Sequence, residues 1–272
     1  MIINGKKIEA NADLMFADLS AAKMNMAMLG GAKLIGANLQ GSELRYAKMG
    51  KTLLNGANIE KADLSGSDIQ HADLRAILGN GSVFIGSTLN DSILILADLC
   101  DTMLSNASLN QCDLRGANMI GTNLLNASLS QARIDFADLS QSNLDKIDFT
   151  YANLTGVQMI HSSVRWANWE SCTLNLADLS WSNLYEGKLM KVSAFQTNFM
   201  NCNLTLSDFT DANLMNANLS SACLQRAVMT NANLDGANLT RANLLDAKIT
   251  FEQLSYASSL AGTTMPDGTI HR

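Results

Sequence analysis

Three histidines (His71, His161, His271) and five cysteines (Cys100, Cys112, Cys172, Cys202, Cys223) are the residues of this chain best suited to metal or nucleophilic chemistry. A zinc site needs four such ligands at short spacings, commonly starting from a C-x-x-C pair. No such pair occurs, and the odd cysteine count argues equally against a disulfide framework. A G-x-x-x-x-G-K-[ST] phosphate loop and a dinucleotide fingerprint are both missing. Aspartates are plentiful, but they recur by a rule of spacing rather than as pairs facing a common point. That rule is the main feature of the sequence.

In NANLDGANLTRANLLDAKI, residues 231–249, a large apolar side chain falls on every fifth residue: Leu234, Leu239, Leu244 and Ile249. A helix repeats near 3.6 residues and a strand at 2, so five fits neither. The frame starts at Leu14 and runs to Leu254 without a slip, and thirty-two of its forty-nine centres are Leu. Only Gly79 and Ala194 lack a large side chain there. Two residues before each centre the side chain is small, usually Ala. The larger exceptions are Ile77, Ile147, Val157, Val192 and Glu252. The residue just before the centre is commonly Asp or Asn, and the two after it vary.

A square coil satisfies this pattern. Each five-residue unit makes one side, four units make a turn, and the centre and small residues both point inward. Coils stack at the inter-strand spacing, so that backbone groups pair with the coils above and below. The run ANLDG ANLTR ANLLD resembles the pentapeptide-repeat family, whose motif is A(D/N)LXX. The resemblance covers about residues 12–254. It implies an all-β solenoid, a right-handed quadrilateral β-helix of about twelve coils, roughly 58 Å long at about 4.8 Å per coil. The expected organisation is an N-terminal cap over 1–11, one repeat domain over 12–254, and a C-terminal helix and tail over 250–272.

The ends need covering, because an open coil exposes core and unpaired backbone. Asn4-Gly5 suits a type I′ hairpin turn, with Ile2, Ile3 and Ile8 over the first coil. Thr250 and Gln253 read as a capping box for a short helix near 251–258. The TFEQL…MPDGTIHR ending looks like that of many cyanobacterial pentapeptide-repeat proteins.

The net charge of −6 and the 16% charged residues argue against a generic basic nucleic-acid surface. No window approaches eighteen apolar residues, and the start lacks a signal-like stretch. The expectation is a cytoplasmic protein with reduced thiols, no membrane partner and no direct nucleic-acid partner. Within a square coil His71 and His161 lie more than four turns apart and cannot share a metal. Cys112, Cys172 and Cys202 occupy small inward positions. No cofactor, metal or enzymatic activity is expected.

Two stretches break the pattern. RAILGNGSVF, 75–84, suggests a one-unit loop bulging at Gly79, Asn80 and Gly81. Residues 156–200 hold all three tryptophans. Trp169 is in the centre frame, while Ile160, His161, Arg165, Trp166, Trp181, Tyr185, Met190 and Phe195 point outward. Residues twenty apart stack, which sets His161 beside Trp181 and Arg165 beside Tyr185. A wall so rich in aromatics suits protein contact. The leading function is a non-catalytic protein-binding scaffold or regulator, as a monomer or an end-to-end dimer, with 79–81 as a second contact. The alternative is a DNA mimic: some members of the family resemble B-DNA and bind DNA gyrase, protecting it from quinolone-type poisons. A duplex 58 Å long carries roughly 34 charges, far more than this chain, and residues 1–61 carry an excess of three positive charges (eight Lys and Arg against five Asp and Glu).

Overall fold

The computed structural model describes residues 1–272, which form two compact units, Met1–Asp138 and Leu139–Arg272. Both units are built by the same local rule. Single parallel bridges join residues twenty apart, from Asp13↔Lys33 to Asn118↔Asp138 in the first unit and from Asn143↔Ser163 to Val228↔Lys248 in the second. Twenty residues per turn in five-residue sides make four sides, the quadrilateral coil.

The backbone hydrogen bonds explain the period. The small residue's N–H donates to the preceding centre carbonyl (Ala37 N to Leu34 O, 3.0 Å), which closes a turn. Its third residue has positive φ, as at Gly41 (+64°) or Trp166 (+58°), so the turns are of type II. Centre and corner amides donate to the next coil (Leu34 N to Leu53 O, 2.7 Å; Gly41 N to Glu60 O, 2.8 Å). The residue before the centre donates to the previous coil (Asn38 N to Ala17 O, 2.9 Å). The fifth amide, one after the centre, has no backbone acceptor. The Asp or Asn before the centre supplies one, as in Thr205 N to Asn203 Oδ1 at 3.2 Å. The same amides also link coils, with Asn218 Nδ2 donating to Asn198 Oδ1 (3.0 Å) and Asn198 Nδ2 to Asp178 Oδ1 (3.0 Å). The A(D/N)L pattern is therefore a hydrogen-bonding requirement as much as a packing one.

Apart from Ala12, Ile249 and Glu252 at the ends of the repeat, the centre and small residues are buried in both units. Many hydroxyls at the small position return to backbone carbonyls, as in Thr52 Oγ1 to Met49 O at 2.7 Å and Thr197 Oγ1 to Leu174 O at 2.7 Å, while those of Ser42 and Ser82 are buried without a partner. Two of the larger exceptions balance volume. Ile77 precedes Gly79 and Val192 precedes Ala194, so each pair reverses the usual large and small slots. Trp169 stacks on Phe149 with centroids 4.7 Å apart, and Gly187 lies beside its indole.

The expected bulge at 79–81 is corrected by these bonds. Gly79 N donates to Asp98 O (2.7 Å), Ser82 N to Gly79 O (3.0 Å) and Gly81 N to Cys100 O (2.9 Å), the same pattern as every other side. Gly79 is an interior residue, and a Cβ there would stand 3.0 Å from Leu99 Cδ2.

At the N-terminus β1 (Ile2–Ile3) pairs antiparallel with β2 (Lys6–Lys7) through positive-φ Asn4 and Gly5. Ile8 is buried there and Ile3 is half-buried. Ile2 is 74% exposed, contrary to its expected role. At the other end α1 (Phe251–Ser255) begins with the expected Thr250–Gln253 capping box. Gln253 Nε2 also donates to Met229 O (2.7 Å) and Ala232 O (2.9 Å), fixing the helix to the coil beneath. The chain then resumes coil-like pairing one residue out of step, with Ser259↔Asn238 and Thr264↔Asn243 bridges and Thr263 and Met265 buried. The extra residue comes from the helix, which breaks the five-residue count.

Candidate protein-contact surface

The second unit carries the exposed aromatics. Positive φ at Lys146, His161, Trp166, Trp181 and Glu186 marks these residues as corners of successive coils. Trp166 and Trp181, 40% and 56% exposed, bound the same side of the coil from neighbouring corners. Between the corners run Ser163, Arg165, Asn183 and Tyr185.

Asp145 anchors this side. Its carboxylate accepts from Ser163 Oγ (2.7 Å), Arg165 N (2.9 Å), Arg165 Nε (3.0 Å) and Arg165 Nη2. The Asp145 side chain is only 7% exposed. Burial pushes its pKa up, but the Arg165 and Ser163 hydrogen bonds and the guanidinium charge bring it below the ordinary carboxylate value. Held this way, the Arg165 guanidinium lies over the Trp166 ring, 4.8 Å from its centroid, and Lys146 Nζ lies 5.9 Å from the same ring. Tyr185 meets Trp166 edge-on at 6.3 Å. The expected stacking of Arg165 on Tyr185 is thus corrected, because the bidentate pair with Asp145 turns the guanidinium onto its own neighbour, Trp166. His161 and Trp181 do stack, with centroids 6.0 Å apart.

The other outward residues are dispersed. Ile160 is half-buried next to the His161 corner. Met190 and Phe195, also half-buried, belong to the two sides beyond Trp166, so they do not join the tryptophan surface. Sequence reading missed Asp145 and Lys146, although counting twenty back from Arg165 and Trp166 finds both. It also missed exposed Tyr151 and Leu176 at the remaining corners, where they continue the apolar belt. In the first unit Asn80 and Gly81 are ordinary wall residues.

The remaining reactive groups are separate from this surface. His71 Nδ1 faces Asp91 at 3.9 Å, and His271 is on the exposed tail. Cys112 and Cys202 donate to Leu89 O and Leu179 O, each at 2.9 Å, and burial pushes both thiols up to about 12. Burial also raises the Cys172 thiol strongly and lifts Cys100 to about 11. A thiol so disfavoured as thiolate is a poor nucleophile. No helix is long and apolar enough to cross a membrane.

Comparison with known proteins agrees with the repeat. The family described as Pentapeptide repeats matches in eight copies, over residues 12–49, 37–75, 82–119, 109–145, 127–165, 195–231 and 224–250. No curated protein sequence matches the chain. Among solved structures the chain is similar to HetL, a pentapeptide repeat protein involved in heterocyst differentiation regulation from the cyanobacterium Nostoc sp. strain PCC 7120. The identity is 28% over 97% of this chain and 94% of that one, with a TM-score of 0.27. A trypsin-treated variant of QnrB1, a plasmid-mediated fluoroquinolone resistance protein, is 18% identical over 66% of this chain and 91% of its own, with a TM-score of 0.38. Rfr23 from the cyanobacterium Cyanothece 51142 is 24% identical over 43% and 63% of the two chains, with a TM-score of 0.28. With TM-scores this low, membership rests on the repeat and not on superposition. The chain belongs to the pentapeptide-repeat family, whose fold is the right-handed quadrilateral β-helix.

Proposed function

We propose that this protein is a non-catalytic protein-binding scaffold or regulator that recognises its partner with an outer wall. The observation that carries this reading is the Trp166–Trp181 side, where two exposed indoles are held by stacking and by the Asp145–Arg165 pair. Exposed aromatic and arginine side chains already fixed in place lose little entropy on binding and are the usual anchors of an interface. The interior offers Leu and Ala instead of converging polar groups, which supports a role without catalysis. Asn80 and Gly81 of the first unit serve as a second contact; Gly79, being buried, does not. The same proposal includes about twelve coils over 12–254, an N-terminal cap over 1–11 and α1 as the C-terminal cap.

The test is affinity capture from a lysate of the source organism with the wild type and with the Trp166→Ala/Trp181→Ala/Tyr185→Ala variant. A specific partner captured by the wild type and lost from the variant supports the proposal. Identical sets of partners reject this wall as the contact surface.

A further inference from the structure

We propose that Asn4-Gly5 is a site of spontaneous covalent modification, where the Asn4 side-chain amide is lost through a succinimide and the first coil loses part of its cap. The site is in the N-terminal hairpin and does not depend on the tryptophan wall.

An asparagine followed by glycine can react with its own backbone. The glycine amide nitrogen loses its proton and attacks the asparagine Cγ. A nitrogen–carbon bond forms, the Cγ–Nδ2 bond breaks, and ammonia leaves with that proton. Water then opens the ring. Cleavage of the new bond to Cγ gives aspartate, and cleavage of the bond to the main-chain carbonyl carbon gives isoaspartate. The attack needs a nitrogen free of hydrogen bonding and a backbone able to rotate it onto Cγ.

The chain has three Asn-Gly pairs, at 4–5, 55–56 and 80–81. Two are held in the coil. Gly56 N donates to Arg75 O and Gly81 N to Cys100 O, each at 2.9 Å, and Asn55 and Asn80 are half-buried. At the third, Gly5 N has no acceptor, no atom lies within 4 Å of where a Gly5 Cβ would stand, and Asn4 is exposed. The turn through Asn4 joins strands of only two residues each, so it opens far more readily than a side of the coil.

The amide at risk is also part of the cap. Inside the repeat the carbonyl before each centre accepts from the preceding coil, as Asn38 O does from Leu19 N at 2.7 Å. Asp18 is in the first coil, and its carbonyl receives no backbone amide. Asn4 Nδ2 takes that place and donates to Asp18 O at 3.0 Å. Either product sets a carboxylate, which has no hydrogen to donate at neutral pH, against the same carbonyl. The hairpin then keeps its closing bond from Ile8 N to Met1 O, 2.9 Å, but loses this link to the coil.

For the experiment the full chain is aged at mildly alkaline pH, native and in urea, and conversion at each asparagine is followed by peptide mass spectrometry. In the native chain Asn4 is expected to convert at least about tenfold faster than Asn55 or Asn80, and in urea the three rates are expected to converge. Equal native rates, an Asn4 rate below the other two, or a preference for Asn4 that persists unchanged in urea would overturn the site. Amide hydrogen exchange tests the cap. Asn4→Asp, which stands in for the aspartate product, is expected to speed exchange at Ile8 roughly fivefold and to leave Leu34 unchanged. Exchange at Ile8 equal to that of the wild type would overturn the loss of the cap.

Discussion

Replacing Arg165 with Ala should do more than remove a surface cation. It should leave the Asp145 carboxylate nearly buried with only Ser163 and one backbone amide as donors. Breaking a buried pair from one side costs about 3–5 kcal/mol. Because the Arg165 side chain is 41% exposed, water will reach part of the vacated space and discount that range to about 2–3 kcal/mol at pH 7. The pH dependence gives a sharper signature. In the wild type the folded-state pKa of Asp145 is depressed. The pair therefore contributes fully above the unfolded value near 4 and is lost as pH falls through the folded value. Without Arg165 the depression shrinks, because burial is then opposed only by the Ser163 and backbone hydrogen bonds. The variant should then lose stability relative to wild type as pH rises from about 4 toward neutrality. Thermal unfolding followed by circular dichroism at pH 4.5 and 7 reads both effects. The expected shift at pH 7 is roughly 5–10 °C, with a smaller one at pH 4.5. Asp145→Asn/Arg165→Ala should recover part of the loss, since no charge remains to be buried. A single Arg165→Ala variant as stable as wild type at both pH values would refute the reasoning.

Other consequences are equally concrete. Leu174→Ala should cost about 2–5 kcal/mol in urea unfolding, as expected for a fully enclosed leucine. Gly79→Leu restores the frame in sequence but should destabilise by about 1–3 kcal/mol in the same urea titration, because a Cβ there already stands 3.0 Å from Leu99 Cδ2 and 3.1 Å from Asp98 O. Gly66→Ala should cost more than Gly41→Ala in thermal melts. Both have φ of +64°, but only at Gly66 does a Cβ meet another group, the Tyr46 ring. In a native thiol-labelling assay Cys112, Cys172 and Cys202 should not react, and all five cysteines should react in denaturant.

The interior was legible in the sequence because one rule repeats. A Leu every five residues, with Ala two before it, identifies which side chains point inward from Leu14 to Ala247. The exceptions misled where volume rather than position was conserved. Gly79 looked like a loop only when considered apart from Ile77. The surface was less legible, since side-chain direction at a corner depends on which partner is strongest. Arg165 chose Asp145, twenty residues back, and so turned onto Trp166 instead of Tyr185. In the tail after α1 one extra residue hides the return of the repeat at Thr263 and Met265.

Residue-resolved amide hydrogen exchange tests the coil most directly. Four amides of every five donate to backbone carbonyls, and the one following each centre does not. Protection should therefore dip with a five-residue period along both units, at residues such as Ile35, Ser65, Tyr185 and Thr205. Protection repeating every two or 3.6 residues, or strong protection at those positions with exchange at Leu34, Leu64, Leu184 and Leu204, would contradict the fold on which the proposed surfaces rest.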